Sequence, residues 1–385
     1  MCRPVWNCDG RGIVPDHEVL IVGAGPVGLL LACLLRQEGV RAVVCERRTD
    51  ADDRTRAIGI HRPGIDALDA AGIGADVRAE ALRLEGGEVR SRRRTVATLT
   101  FAPERPVLIL PQPRTAALLR ARLRTLAADT LIAGCTVREV RDDGDAVRVV
   151  AESANGRREH TASVVVVADG VRSGLRGDLD AGWRRRAGRA SYSMLDVVDA
   201  APGVRAVLHL ESGGLVESFP LPGGRRRWVV REGVREIRTA DGFGTAIEER
   251  TGIRIDLPPG AVPTSFVAAQ HGATRVHRGR VVLLGDAAHE ISPIGGQGMN
   301  LGWADAVRLA AEIVRSLPKG TPDLATYDRR VRRSAARAQR RSAFYMSMGA
   351  PAPGAVVRSR ELLVRALGSA PLRGWTAGLL TMRGL

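Results

Sequence analysis

An α/β fold built on a Rossmann-type domain, interrupted by an antiparallel β-sheet and followed by C-terminal helices, is predicted by three features of the 385-residue chain. A strand, a glycine turn and a helix open it near residue 20. Short strand-like runs separated by Gly and Pro turns fill the middle. A second strand, glycine-rich loop and helix returns near residue 285.

The opening unit runs from the apolar stretch Glu18 to Val22 through "GAGPVG" and the helix "LLLACLLRQEG" to a second apolar strand, "RAVVCE". This order is a βαβ unit, and its glycines have separate tasks. Gly23 permits a tight turn, Gly25 lets a phosphate approach the backbone, and Gly28 lets the helix pack close to the sheet. A pyrophosphate then meets the helix N-terminus, where unpaired N–H groups and the helix dipole favour negative charge. Pro26 in the turn, and Glu46 and Arg47 after the second strand, complete this candidate site, with Glu46 placed to accept from a ribose hydroxyl. Residues 1–16 precede the unit as an extension to which no chemistry is assigned.

Further on, "PQPRTAALLRARLRTLAA" predicts a helix from about Thr115, and two strands flank a turn at Asp142 to Asp145. The β-branched run "ASVVVVADG" predicts a strand buried on both faces. Between Ala201 and Val230, "VRAVLHL", "GLVESFP" and "RRRWVV" predict antiparallel sheet. Helix returns after residue 302 and dominates the C-terminus.

Composition narrows the function classes. The formal net charge is +16, but Lys319 is the single lysine and the arginines are scattered, at 92–94, 184–186, 225–227 and 329–341. Charge runs of this kind are usually solvated faces, so no nucleic-acid partner is expected. The five cysteines, at 2, 8, 33, 45 and 135, are odd in number and form no CxxC, which favours a reducing cytoplasm. No apolar signal region opens the chain, and no run reaches the roughly 18 uncharged residues of a spanning helix. His271 and His277 are not spaced for one helical metal face, and neither GxSxG nor HExxH occurs.

The second loop, "RVVLLGDAAHEISPIGGQGMNLGWADAVRLAAEIV", explains why one fingerprint is not enough. A flavin dinucleotide has a ribityl chain and an isoalloxazine ring besides its adenosine diphosphate. Asp286, at the strand end, is placed to accept from a ribityl hydroxyl. The N–H groups of Gly298, Met299 and Asn300 open the next helix, where they stabilise negative charge on a reduced flavin. His289, directly after "GDAA", is expected to satisfy local backbone rather than to act as acid or base.

On three motifs, "GAGPVG", "ADGVRSGLR" and "GDAAHEISPIGGQGMN", the chain resembles the para-hydroxybenzoate hydroxylase-like, FAD-dependent aromatic-ring hydroxylases. The resemblance implies that Asp169, Gly170, Ser173 and Arg176 serve the FAD pyrophosphate and the nicotinamide cosubstrate. It adds Pro293 and Gly296 to the flavin loop, places Arg56 near the FAD phosphates and sets Gln112 near the flavin. Where polyketide hydroxylases of this type often carry an acid in the helix after Gln112, this chain has Ala116. No thioredoxin-like C-terminal domain is expected.

The implied organisation assigns residues 17–81, 111–177 and 270–320 to the FAD-binding domain, 82–110 and 178–269 to a substrate domain with an apolar pocket, and 321–385 to C-terminal helices. The implied activity is a monooxygenase using FAD, NADPH or NADH, and O2. It hydroxylates an aromatic or polyketide-like molecule through a flavin C4a-hydroperoxide, with no side chain singled out as catalytic. Reduction, epoxidation or Baeyer–Villiger insertion on the same fold stays open. So does a basic nucleic-acid- or membrane-binding protein with a vestigial flavin fold.

Overall fold

β-Branched runs that end on glycine turns assemble the central sheet. The computed structural model describes residues 14–50, 57–199, 203–233, 236–320 and 323–384. The main order of its eight-stranded sheet is His277–Arg278, Val281–Leu283, Gly156–Val167, His17–Val22, Ala42–Glu46 and Leu131–Ala133. The last five of these run parallel. The hairpin Thr136–Asp142 and Val147–Ser153 pairs antiparallel with the first half of Gly156–Val167. Val19, Leu20, Ile21 and Val164 to Val167 are wholly buried, as parallel strands covered on both faces must be. Each such side chain contributes about 1.5–3 kcal/mol of burial.

Helix Pro26–Gln37 packs against both Gln112–Leu126 and Gly298–Ser316. The second of these begins at Gln112, three residues before the expected start. Pro111 caps it and Pro113 fits its first turn, where a missing N–H costs nothing. The third begins at Gly298, where the second glycine loop was expected to open it.

The second large sheet has seven strands, in the order Thr264–Ala268, Ala190–Val198, Arg225–Arg231, Gly214–Leu221, Arg205–Glu211, Gly86–Ser91 and Arg94–Thr100. It is antiparallel except where Arg205–Glu211 meets Gly86–Ser91 in parallel. Alternating hydrophobicity marks a half-buried strand but carries no information on direction, so this pairing was not foreseeable from pattern. Residues 82–110 also divide. Gly86–Ser91 and Arg94–Thr100 join the large sheet, whereas Val107–Ile109 pairs with Leu82–Leu84 on one side and Gly59–Ile60 on the other.

One face of the seven-stranded sheet is sealed by helix Ala240–Thr251, with Phe243 and Ile247 packed on Val197, Val216, Trp228 and Val230. Thr239 caps that helix by accepting from the Gly242 N–H at 3.1 Å. The opposite face, carrying Leu215 and Val229, meets Ile294 of the second glycine loop and Met346 of helix Ala325–Met348. Helices Gly354–Gly368 and Ala370–Leu380 finish the described chain, the former packing on Arg94–Thr100.

Candidate active site

A single cavity of about 2300 Å³ runs from the first glycine turn, past the second glycine loop, to the open face of the seven-stranded sheet. At its first end the three glycines of "GAGPVG" differ in what a side chain would meet. Gly23 has φ +107° and a Cβ there would lie 2.6 Å from the Ala168 carbonyl oxygen, so the turn demands glycine. A Cβ on Gly28 would lie 2.1 Å from the Gly23 carbonyl oxygen. Gly28 is buried, away from the cavity lining, and serves the close turn-to-helix packing. Gly25 has an ordinary φ of −70°, and a Cβ on it would meet nothing within 4 Å. Its need for glycine is therefore not steric within the chain; the open space lies at the helix N-terminus, where a phosphate would sit.

Pro26 occupies the first position of this helix. The Glu46 carboxylate accepts from the Ala24 N–H at 2.7 Å and from the Arg48 N–H at 3.0 Å. It thus ties the second strand to the glycine turn, and each oxygen keeps a lone pair for a hydroxyl in the cavity it lines. Arg47 is exposed and lines the same end.

The second glycine loop is locked to the first unit. Trp303 Nε1 donates to the Pro26 carbonyl at 3.0 Å, and a Cβ on Gly302 would lie 2.8 Å from Val27 Cγ2. Asp286 is exposed within an otherwise buried stretch and lines the cavity. Pro293, Gly296, Gly298 and Met299 line it too, with Gly298 and Met299 at the N-terminus of the 19-residue helix Gly298–Ser316. Asn300 does not line it. Its Oδ1 accepts from the His61 N–H at 2.9 Å, and its Nδ2 donates to the Gly59 and Gly296 carbonyls at 3.0 and 2.8 Å. That side chain is spent holding the loop, leaving only its N–H for the expected role.

His289 finds a carboxylate rather than local backbone, its Nε2 lying 2.8 Å from Asp305 Oδ2. Arg308 donates to the other oxygen at 2.8 Å. Burial alone would pull His289 down, but the hydrogen bond and charge of Asp305, with Asp286, hold it above its ordinary value. The partner lies sixteen residues on, about two turns into helix Gly298–Ser316, and sequence spacing does not reveal that it folds back onto His289.

Between the two loops, Asp169 and Gly170 line the cavity, Gly170 with φ +87°. Burial pushes the Asp169 carboxyl above its usual value, and its Oδ1 has no hydrogen-bond partner among the described residues. Arg176 stays outside the lining, donates to the Ala287 and Val171 carbonyls, and lies 3.6 Å over the Trp183 ring. Trp183 in turn stacks on His271, whose Nδ1 lies 2.5 Å from Glu290. Ser173 is likewise outside the lining. Gln112 lines the cavity, its N–H donating to the Ala57 carbonyl at 3.0 Å; Arg56 lies outside the described residues.

His61 was not singled out from sequence, although it ends the run "RAIGIH". It lines the cavity beside Gly296, and burial pulls its imidazole down to about 4, so it stands neutral there at pH 7. Tyr192 is fully buried in the apolar cluster with Leu215 and stacks on Phe266, away from the cavity. The far end of the cavity is largely apolar, with Leu99, Phe101, Met194, Leu208 and Phe219 among its walls, and it also carries Glu217, Asp196 and Arg227. Among the described residues, no group of three His, Cys, Asp or Glu could hold a metal ion, and no helix is long and apolar enough to cross a membrane.

Open space beside Gly25 at a helix N-terminus, an exposed aspartate at a second turn and a second helix N-terminus fit the two ends of FAD. Together they define a flavoprotein oxidoreductase. Residues 16–342 match the FAD binding domain family, and the chain belongs to that family. It is 29% identical to the 12-dehydrotetracycline 5-monooxygenase/anhydrotetracycline 6-monooxygenase of Streptomyces rimosus, over 95% of this chain and 76% of that protein. It is 32% identical to the rifampicin monooxygenase of Streptomyces venezuelae, over 80% of this chain and 66% of that one. In fold it is similar to p-nitrophenol 4-monooxygenase of Pseudomonas putida, with a TM-score of 0.82 and 23% identity over 96% of this chain and 98% of that one. It is an FAD-dependent monooxygenase of the para-hydroxybenzoate hydroxylase-like type, with NADPH or NADH as cosubstrate.

Proposed function

We propose that the substrate is a multi-ring aromatic or polyketide-like molecule, hydroxylated on an electron-rich ring. The observation that carries this reading is the size and polarity of the cavity. Its volume of about 2300 Å³ exceeds the roughly 300–1,000 Å³ of an ordinary ligand pocket. That leaves room for a dinucleotide at the glycine end and a ring system at the apolar end. The relatives named for anhydrotetracycline and rifampicin support the same class.

In this reading, segments 17–81, 111–177 and 270–320 serve FAD, while 82–110 and 178–269 serve the substrate. Gly23, Gly25, Pro26, Glu46, Arg47 and Arg56 hold the adenosine diphosphate end, and Gly28 sets the helix against the turn. Asp286 holds the ribityl chain. Pro293, Gly296 and the N–H groups of Gly298, Met299 and Asn300 face the ring, with Gln112 beside it. Bound FAD, reduced by NADPH or NADH, supplies the activation of O2 and the transfer of one oxygen atom. The helix at Gly298 favours negative charge at the adjoining edge of the ring. Asp169 and Gly170 border the approach of the nicotinamide. The apolar walls keep water from the oxygen-transfer step.

The same reading keeps the protein in the cytoplasm and without a nucleic-acid partner. Arginines of the clusters are engaged with nearby acids: Arg92 with Glu361, Arg226 with Asp199 and Arg227 with Asp196. The reading is tested with FAD-loaded protein by following NAD(P)H consumption in air. Polycyclic phenols and hydroxyanthraquinones should quicken it well above the rate without substrate. A rate unmoved by every ring tested, while a non-aromatic acid or sugar raises it, would contradict the substrate class.

A further inference from the structure

The cavity face of the seven-stranded sheet carries a row of side chains set by strand register. Met194 pairs with Val229, Val229 with Glu217, Glu217 with Leu208, Leu208 with Val89 and Val89 with Ala97. All six line the cavity, and Glu217 is the ionisable member in the middle of an apolar row. Along its own strand, Leu215 and Phe219 flank it on the same face and line the cavity as well.

Glu217 is 4% exposed. No hydrogen bond or ion pair from a described residue reaches its carboxyl, in contrast to the acids around it. Asp196 is paired with Arg227 at 2.7 Å, and Glu232 accepts from Ser193 at 2.6 Å and Ser265 at 3.2 Å. Burying a polar group with no partner is costly, and a leucine would fill this place without that cost. The fold thus keeps an acid where an apolar side chain would fit, aimed into the cavity it lines. The cluster that includes Leu215, Val229 and Leu208 also includes Ile294 of the second glycine loop. A ring anchored at Glu217 therefore lies against the same wall as that loop.

We propose that Glu217 is the polar anchor of the substrate pocket, accepting a hydrogen bond from a ring hydroxyl and so selecting hydroxylated rings over their ethers. The inference rests on the ring-substrate reading above and adds the chemical feature that is recognised. Burial pushes the carboxyl up to about 7, so both protonation forms are present at neutral pH, and both keep an acceptor oxygen.

The test compares 2-hydroxyanthraquinone with 2-methoxyanthraquinone by equilibrium dialysis against FAD-loaded protein. Wild type should prefer the hydroxyl compound by about tenfold or more, the worth of a hydrogen bond to a carboxylate. Glu217→Leu should reduce that preference to about twofold or less, and Glu217→Gln, which keeps an acceptor, should retain part of it. The ligand-free melting temperature of Glu217→Leu should hold or rise, because an unpaired buried carboxyl has been removed. An undiminished preference in Glu217→Leu, or a fall of several degrees in melting temperature, would overturn the anchor and make the residue structural. Equal binding of both compounds to wild type would overturn the anchor alone. Binding of neither would overturn the ring-substrate reading along with it.

Discussion

Gly25→Leu should give a folded protein that does not hold FAD. The backbone at Gly25, with φ −70° and ψ 172°, suits any residue, and no neighbour lies within 4 Å of a Cβ placed there. Replacing the N-cap glycine costs the helix only about 1 kcal/mol, which lowers the melting temperature of the apoprotein by roughly 2–4 °C. The same side chain fills the space where the pyrophosphate would meet the helix N-terminus. Losing two hydrogen bonds to a charged group, each worth about 1.5–3 kcal/mol, weakens FAD binding by about 100-fold or more. Flavin absorbance of the purified variant, before and after reconstitution, reads this directly. Full flavin occupancy would remove the pyrophosphate from this turn.

Gly28→Ala should do the reverse and strike the fold. Its Cβ would stand 2.1 Å from the Gly23 carbonyl oxygen, and that contact is backbone, which has no rotamer by which to withdraw. Helix Pro26–Gln37 would have to lift away from a turn that Trp303 also grips through the Pro26 carbonyl. A cost of about 3 kcal/mol or more is expected, which corresponds to a melting temperature lower by about 6 °C or more, with poor soluble yield. An apoprotein as stable as wild type would show that the turn is looser than its geometry. Two glycines three residues apart are thus separated by one measurement each, one required by the ligand and the other by the chain.

The geometry behind these expectations was legible because it is local. A strand, a glycine turn, a helix and an acid at the next strand end are contiguous in sequence, and their geometry follows from the spacing. The second loop was legible for the same reason, including the exposed Asp286 and the helix opening at Gly298. What was not legible depends on pairings between distant segments. Glu217 reads in sequence as one acid in a strand, and its isolation arises only when five other strands place Met194, Val229, Leu208, Val89 and Ala97 beside it. His61 reaches the second glycine loop only because Asn300, far along the chain, accepts from its N–H. The division of residues 82–110 between two sheets, and the parallel pairing of Gly86–Ser91, follow from tertiary closure that hydrophobic alternation does not encode. The contacts of Arg176 with the Ala287 carbonyl and the Trp183 ring are likewise set by packing rather than by pattern.

The most direct test of the central claim, that this cavity transfers oxygen to a ring, is the product mass formed under isotopically labelled O2 with NAD(P)H and a ring substrate that quickens NAD(P)H consumption. The account predicts a product heavier than the substrate by one labelled oxygen atom, and mostly hydrogen peroxide when the substrate is withheld. A product that carries unlabelled oxygen, or one that gains hydrogen without oxygen, would contradict monooxygenation and show that the cavity serves a different flavin chemistry.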